Sequence, residues 1–130
     1  MIDLKQYHIV YLATPYTRYP TGIVQAFRDA CTIAAKLVKD GVSVYSPIAH
    51  THPIAIHGEI DPLDLAIWIP FDHAMLGVSD ALLVAKMLSW ELSYGIKQES
   101  EFFRKANKPI FFLNPHNMEV SQREDGSASI

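Results

Sequence analysis

His8-Ile9-Val10-Tyr11-Leu12-Ala13, closed by Thr14-Pro15, is a short apolar and partly β-branched run. It reads as a buried strand. Pro20-Thr21-Gly22 then opens a helical pattern with the apolar stripe Ile23, Phe27, Ala30, Cys31, Ala34, Leu37 and Val38, which Asp40-Gly41 stops. Val42 to Tyr45 reads as a second strand, closed by Ser46-Pro47, and residues 48–60 as a long loop of His, Pro and Ile. Asp61-Pro62 has the form of an N-cap with proline at the first helical position. It predicts a helix to about Trp68, a break or kink at Pro70, and a second piece to Leu76. Ala81 to Ala85 is apolar throughout, as a strand covered on both faces should be. Ser93 to Ala106 reads as a helix and Pro109 to Leu113 as a fourth strand.

Strands alternating with helices imply a parallel sheet with helices on both faces. The expected fold is therefore α/β, a three-layer Rossmann- or flavodoxin-like sandwich with four to five strands. The expected domain is 1–118, and the polar stretch 119–130 is expected to be a flexible tail. In such sheets ligands bind beyond the carboxyl ends of the strands. That rule selects Thr14–Arg18, Ser46–His57, Lys86–Gly95 and Asn114–Asn117, but names no reaction.

The chain has 130 residues, 49% of them hydrophobic, with 11 Lys and Arg against 14 Asp and Glu for a net charge of −3. These values fit one folded domain and argue against a nucleic-acid polymer as partner. Cys31 is the only cysteine, which excludes a disulfide framework and a Cys-rich zinc site; within its apolar stripe it reads as inert. The first residues lack the basic region of a signal peptide, and no apolar run approaches the ~20 residues of a membrane span. A soluble cytoplasmic domain is the simplest expectation.

From Asp40 to Ala85 there is no Lys or Arg, but six acids and four of the six histidines. The stretch reads either as a solvated acidic face or as a pocket wall that repels phosphate. No dinucleotide fingerprint or Walker loop occurs. The first loop, Thr14 to Arg18, offers hydroxyls (Thr14, Tyr16, Thr17) and a guanidinium ahead of a helix, a small-anion site or simply a turn with a surface arginine. Gly95 near a helix start lets a ligand approach backbone amides, and Glu99 lies one turn later, facing the strand ends or solvent. His50, His52 and His57 invite a zinc reading that Pro53 weakens, so no metal and no cofactor is expected. Substrate contact by His50 or His52 competes with loop packing. Trp68, Phe71 and Met75 read as core, and Trp90 as a stacking residue at the pocket rim.

Val10-Tyr11-Leu12-Ala13, Asp72 eight residues before Asp80, Ser93-x-Gly95-x-x-x-Glu99 and Lys108-Pro109-Ile110 together resemble the nucleoside 2-deoxyribosyltransferase-like superfamily. The resemblance spans about residues 8 to 114. It implies Glu99 as nucleophile, Tyr11 as its hydrogen-bonding tyrosine and Asp72 as the residue at the nucleobase side. Ser93 falls where the nucleotide-hydrolysing members carry serine, which leaves room for a 5′-phosphate. Together with the loop readings, this makes Thr14, Tyr16, Arg18, His50, Trp90, Ser93 and Gly95 the expected substrate contacts. The Thr14-Pro15-Tyr16-Thr17-Arg18 loop departs from the glycine-richer loop usual in the family. A small nucleotide or nucleoside partner and a homodimer or higher homo-oligomer follow from the same resemblance. The superfamily also borrows a residue from a neighbouring subunit, for which Asn114 and Asn117 are the candidates here. The implied activity is hydrolysis or transfer at an N-glycosidic bond. The competing expectations are a non-catalytic nucleotide-binding module and a metal-dependent hydrolase built on the histidines.

Overall fold

The computed structural model describes residues 2–124. Five strands, β1 (Val10–Ala13), β2 (Val44–Tyr45), β3 (Ala81–Ala85), β4 (Ile110–Leu113) and β5 (Val120–Ser121), form one sheet in the order β2-β1-β3-β4-β5. The first four run parallel, and β5 pairs antiparallel to β4. Four helices flank the sheet: α1 (Ile23–Lys39), α2 (Pro47–His57), α3 (Leu65–Val78) and α4 (Tyr94–Lys105). The α/β sandwich expected from the alternation is what the chain forms.

Strand alternation divides β1 between two cores. Val10 and Leu12 join Ile33 and Leu37 of α1, together with Leu83 and Phe111. Tyr11 and Ala13 join Leu76 of α3 and Ile96 and Phe103 of α4. Each fully buried Leu or Val contributes about 2 kcal/mol. The same alternation sends Tyr11 to the α4 side, where Glu99 stands.

Residues 48–60, expected as a loop, are mostly helix. Ser46 caps α2 by accepting from Ala49 N at 3.4 Å, with Pro47 at the first position and Pro53 inside. Helical periodicity is absent there, but the cap-then-proline signature is present. At Asp61-Pro62 the same signature makes only a turn, in which Asp61 accepts from Leu63 N at 2.9 Å. The cap of α3 is Asp64, which accepts from Ala66 N at 3.1 Å. Pro70 does not break α3, which continues to Val78. Pro70 and Ala66 are both exposed, so the carbonyl deprived of its helical partner is open to water. In α1 the fully buried residues are Ala26, Ala30, Ile33 and Leu37. Phe27 and Cys31 flank this stripe, and Val38 points out. The boundary expected at 118 falls just before β5, so part of the expected tail is sheet edge; residues 125–130 lie outside the described residues.

Polar anchors fix the amino ends of the strands. Asp80 accepts from His8 N and Ile9 N at 2.8 and 3.2 Å. Lys108 Nζ donates to the carbonyls of Ser79 and Gly77 at the end of α3, at 2.7 and 3.2 Å. Among the described residues no helix is long and apolar enough to cross a membrane.

Candidate active site

A cavity of about 400 Å³ opens at the carboxyl ends of β1 and β3, where strand order places ligands. Its polar side is Thr14, Tyr16, Thr17 and Arg18 from the β1–α1 loop, with Ser93 and Gly95 at the start of α4. Its apolar side includes Leu63, Leu65, Trp68, Ile69 and Leu76. Asp72 of α3 and Glu99 of α4 also line the cavity. Seven expected site residues thus meet in one cavity: Thr14, Tyr16, Arg18, Asp72, Ser93, Gly95 and Glu99.

Tyr11 lies beneath them, fully buried. Its hydroxyl has no partner at full hydrogen-bond geometry, but it interacts with the Glu99 carboxyl. Burial of that carboxyl pushes its pKa up to about 8; the Tyr11 hydroxyl pulls it down, and the charge of Asp72 pushes it up again. Asp72 is raised to about 6 by burial, against the pull of His73. Burial and both carboxylates hold Tyr11 neutral by raising its pKa strongly. A carboxyl pair of this kind keeps one proton between two sites near neutrality, so its two pKa values belong to the pair. A nucleophilic carboxylate acts in its ionised form. Burial instead favours the protonated form of Glu99 at pH 7.

Tyr45 escaped the sequence reading. It is in register with Tyr11 on neighbouring strands, the rings 5.7 Å apart. Burial, then the charges of Asp72 and Glu99, raise its pKa. A second tyrosine ending a parallel strand was the available signal. Among the described residues the buried side-chain polar atoms without a partner are Tyr11 Oη, Thr14 Oγ1, Tyr45 Oη and Asp72 Oδ1. Such atoms are costly and uncommon in folded proteins. Thr14 and Asp72 line the cavity; Tyr11 and Tyr45 lie behind it, in electrostatic reach of Asp72 and Glu99.

Other expectations are corrected. Trp90 is not at this rim; it packs on Phe112, with ring centroids 6.1 Å apart, and lines a second cavity of about 540 Å³ with Lys36, Lys86 and Glu91. Trp68, read as core, lines the first cavity, its indole nitrogen donating to Asp61 O at 2.9 Å. His50 lies outside the cavity lining and stacks on Phe71 at 5.5 Å. His52 is buried against Phe27. Among the described residues no three His, Cys, Asp or Glu side chains gather to hold a metal. Nor is the stretch 40–85 an acidic wall. Asp61, Asp64 and Asp80 are spent on backbone amides, and Asp72 is its only carboxylate in the cavity. Ser93 lines the cavity but also caps α4, accepting from Ile96 N at 3.2 Å. Asn114 and Asn117 each accept from a backbone amide two residues on and so build their own turn.

Fold and site define an α/β protein with a cavity at the carboxyl ends of parallel strands and two carboxyl groups in its wall. Residues 8–114 match the family described as a domain of unknown function (DUF1937), and the chain belongs to that family. No curated protein matches it.

Proposed function

We propose that the cavity binds a nucleoside or nucleoside 5′-monophosphate and cleaves or transfers its N-glycosidic bond, with Glu99 as nucleophile. The observation that carries this is the meeting of Glu99 and Asp72 in the wall of one cavity, with buried Tyr11 interacting with Glu99 from behind it. The apolar side, with Trp68 held by Asp61, suits a flat base. Arg18 and the amides at the start of α4 suit a phosphate. In the reactive arrangement the pair's one proton sits on Asp72 and Glu99 is ionised, the reverse of what burial favours for each carboxyl alone. Glu99 then attacks C1′ as the bond to the base breaks, and Asp72 delivers its proton to the departing base. Water, or a second base, then takes the sugar from Glu99 while Asp72 regains a proton.

Incubation with a panel of deoxynucleosides and their monophosphates, with free base read by chromatography, tests the reading. Release of base that Glu99→Ala abolishes supports it; no release from any of them overturns it. The carboxyl pair also predicts a bell-shaped profile of kcat/KM with limbs near about 6 and about 8.

One observation favours the rival reading, a binding module without turnover: Glu99 held protonated can donate a hydrogen bond to a ligand. That reading predicts ligand-dependent thermal stabilisation, kept in Glu99→Gln, and no free base.

Self-association belongs to the same reading. Asp72 and His73 are the only ionisable side chains of α3, and Leu76 is its only fully buried residue. Ile67, Phe71, Ala74 and Val78 recur at the four-three-four spacing of a helix–helix seam and face outward. The stripe is uncharged, so nothing in it selects a charged partner. It continues through His50, stacked on Phe71, toward exposed Ile54 one turn along α2. Ile54, Ile67, Phe71 and Val78 are each between 36% and 58% exposed, apolar surface of the kind an interface between copies buries. A second copy presenting the same stripe about a two-fold axis is the occupant. Sedimentation should show a dimer that Ile67→Glu splits; a monomeric wild type, or a dimer indifferent to Ile67→Glu, overturns it.

A further inference from the structure

Tyr16 lines the cavity from the β1–α1 loop. Its hydroxyl lies 2.6 Å from Nδ1 of His52, on α2. His52 is only 6% exposed and lines no part of the cavity. Its ring stacks on Phe27 of α1, centroids 4.6 Å apart and planes 24° from parallel, and Tyr16 meets the ring edge-on. Two elements therefore fix the imidazole before Tyr16 reaches it.

The ring tautomer sets which group donates. A separation of 2.6 Å lies in the range of hydroxyl donors and below the usual N–H···O range. It favours the arrangement in which Tyr16 donates, Nδ1 accepts, and the imidazole is neutral with its proton on Nε2. Burial works in the same direction on both groups, lowering the pKa of His52 and raising that of Tyr16 to about 12.

We propose that His52 is a positioning residue: it accepts the Tyr16 hydroxyl and so holds the tyrosine as a fixed wall of the cavity mouth, setting ligand affinity without touching the ligand. The β1–α1 loop is anchored three residues on, where Tyr19 Oη donates to Asp29 at 2.6 Å and Tyr19 N to Tyr16 O at 3.2 Å, but these bonds leave the Tyr16 side chain itself unheld. Thr17 and Arg18 are exposed, and the bond from Ser89 Oγ to Arg18 O, at 3.2 Å, is long. Without His52 the Tyr16 ring is free to leave the position that shapes the mouth, and each binding event must order it again.

The inference rests on the proposed function only for its choice of probe, a deoxynucleoside 5′-monophosphate. His52→Leu should raise KM, and the dissociation constant measured by calorimetry, about tenfold with kcat unchanged. His52→Asn, whose amide oxygen can stand near the place of Nδ1, should recover most of the loss. Tyr16→Phe leaves the Phe27–His52 stack intact and removes only the hydroxyl. It should weaken binding by a similar factor, and the double variant with His52→Leu should be no worse than either single one. An additive double variant, no rescue by asparagine, or a fall in kcat at constant KM overturns the proposal. Should no nucleotide bind, the proposed function fails, and ¹⁵N NMR of the imidazole still decides this inference. The Nε2–H tautomer, with an Nδ1 shift that moves in Tyr16→Phe, supports it; an Nδ1–H tautomer overturns it.

Discussion

The two ends of the sheet treat their polar groups in opposite ways. At the amino ends Asp80 takes two backbone amides and Lys108 takes two carbonyls, so these groups are spent on holding strands and helix together. At the carboxyl ends Tyr11, Thr14, Tyr45 and Asp72 each bury a polar atom without a partner. One end uses polarity for stability, and the other leaves it unspent, available to a ligand under the proposed function. Removing a polar group should therefore cost stability at the first end and function at the second.

The largest effect expected is on turnover. Glu99→Ala should lower base release by at least about a thousandfold while circular dichroism stays native, because it removes the proposed nucleophile. Asp80→Ala should do the reverse, costing about 2–3 kcal/mol in urea unfolding, because two backbone amides lose a charged acceptor. Tyr11→Phe should sharpen the contrast further. It removes a buried hydroxyl that has no well-formed partner, so stability should hold or rise by up to about 1 kcal/mol while turnover falls about tenfold. If Tyr11→Phe proves as destabilising as Asp80→Ala, the contrast between the two ends fails.

A smaller effect depends on pH. The Glu99 pKa is raised from its ordinary 4.5 to about 8. Between those values the native state holds a proton that the unfolded chain has lost, so stability falls as pH rises. Glu99→Gln cannot ionise. Its melting temperature should match that of the wild type near pH 4 and exceed it increasingly up to about pH 8, with a plateau above. The smallest effect is that of Gly95→Ala. A methyl group there would meet nothing closer than Ser93 Oγ at 3.8 Å, so melting should be unchanged to within about 0.5 kcal/mol while ligand affinity drops.

Most of the parallel strands and both amphipathic helices, α1 and α4, were legible because period and punctuation agreed there. α2 was not, because His50, His52, Pro53 and His57 carry no helical period; only Ser46-Pro47 announced it. α3 was misjudged at Pro70, since one exposed missing bond does not outweigh the helix on either side. In the site, Thr14, Tyr16, Arg18, Asp72, Ser93, Gly95 and Glu99 came together. His50, Trp90, Asn114 and Asn117, on the same selected loops, did not. Trp68 and Trp90 exchanged places, since an indole's chemistry says nothing of the face it lies on. Tyr45 became visible only through its register with Tyr11, a relation between distant segments.

The two strands that bound the sheet, β2 and β5, are two residues long each. A foreign strand needs a run of free amides and carbonyls to add to, and neither border offers one of any length. β5 covers β4, whose Ile110-Phe111-Phe112-Leu113 would make an adhesive border if bare. A chain cut before Val120 would keep every residue of the cavity and lose this cover. Its weakness would show as fibre growth or precipitation at high concentration, with the chemistry of single molecules unharmed.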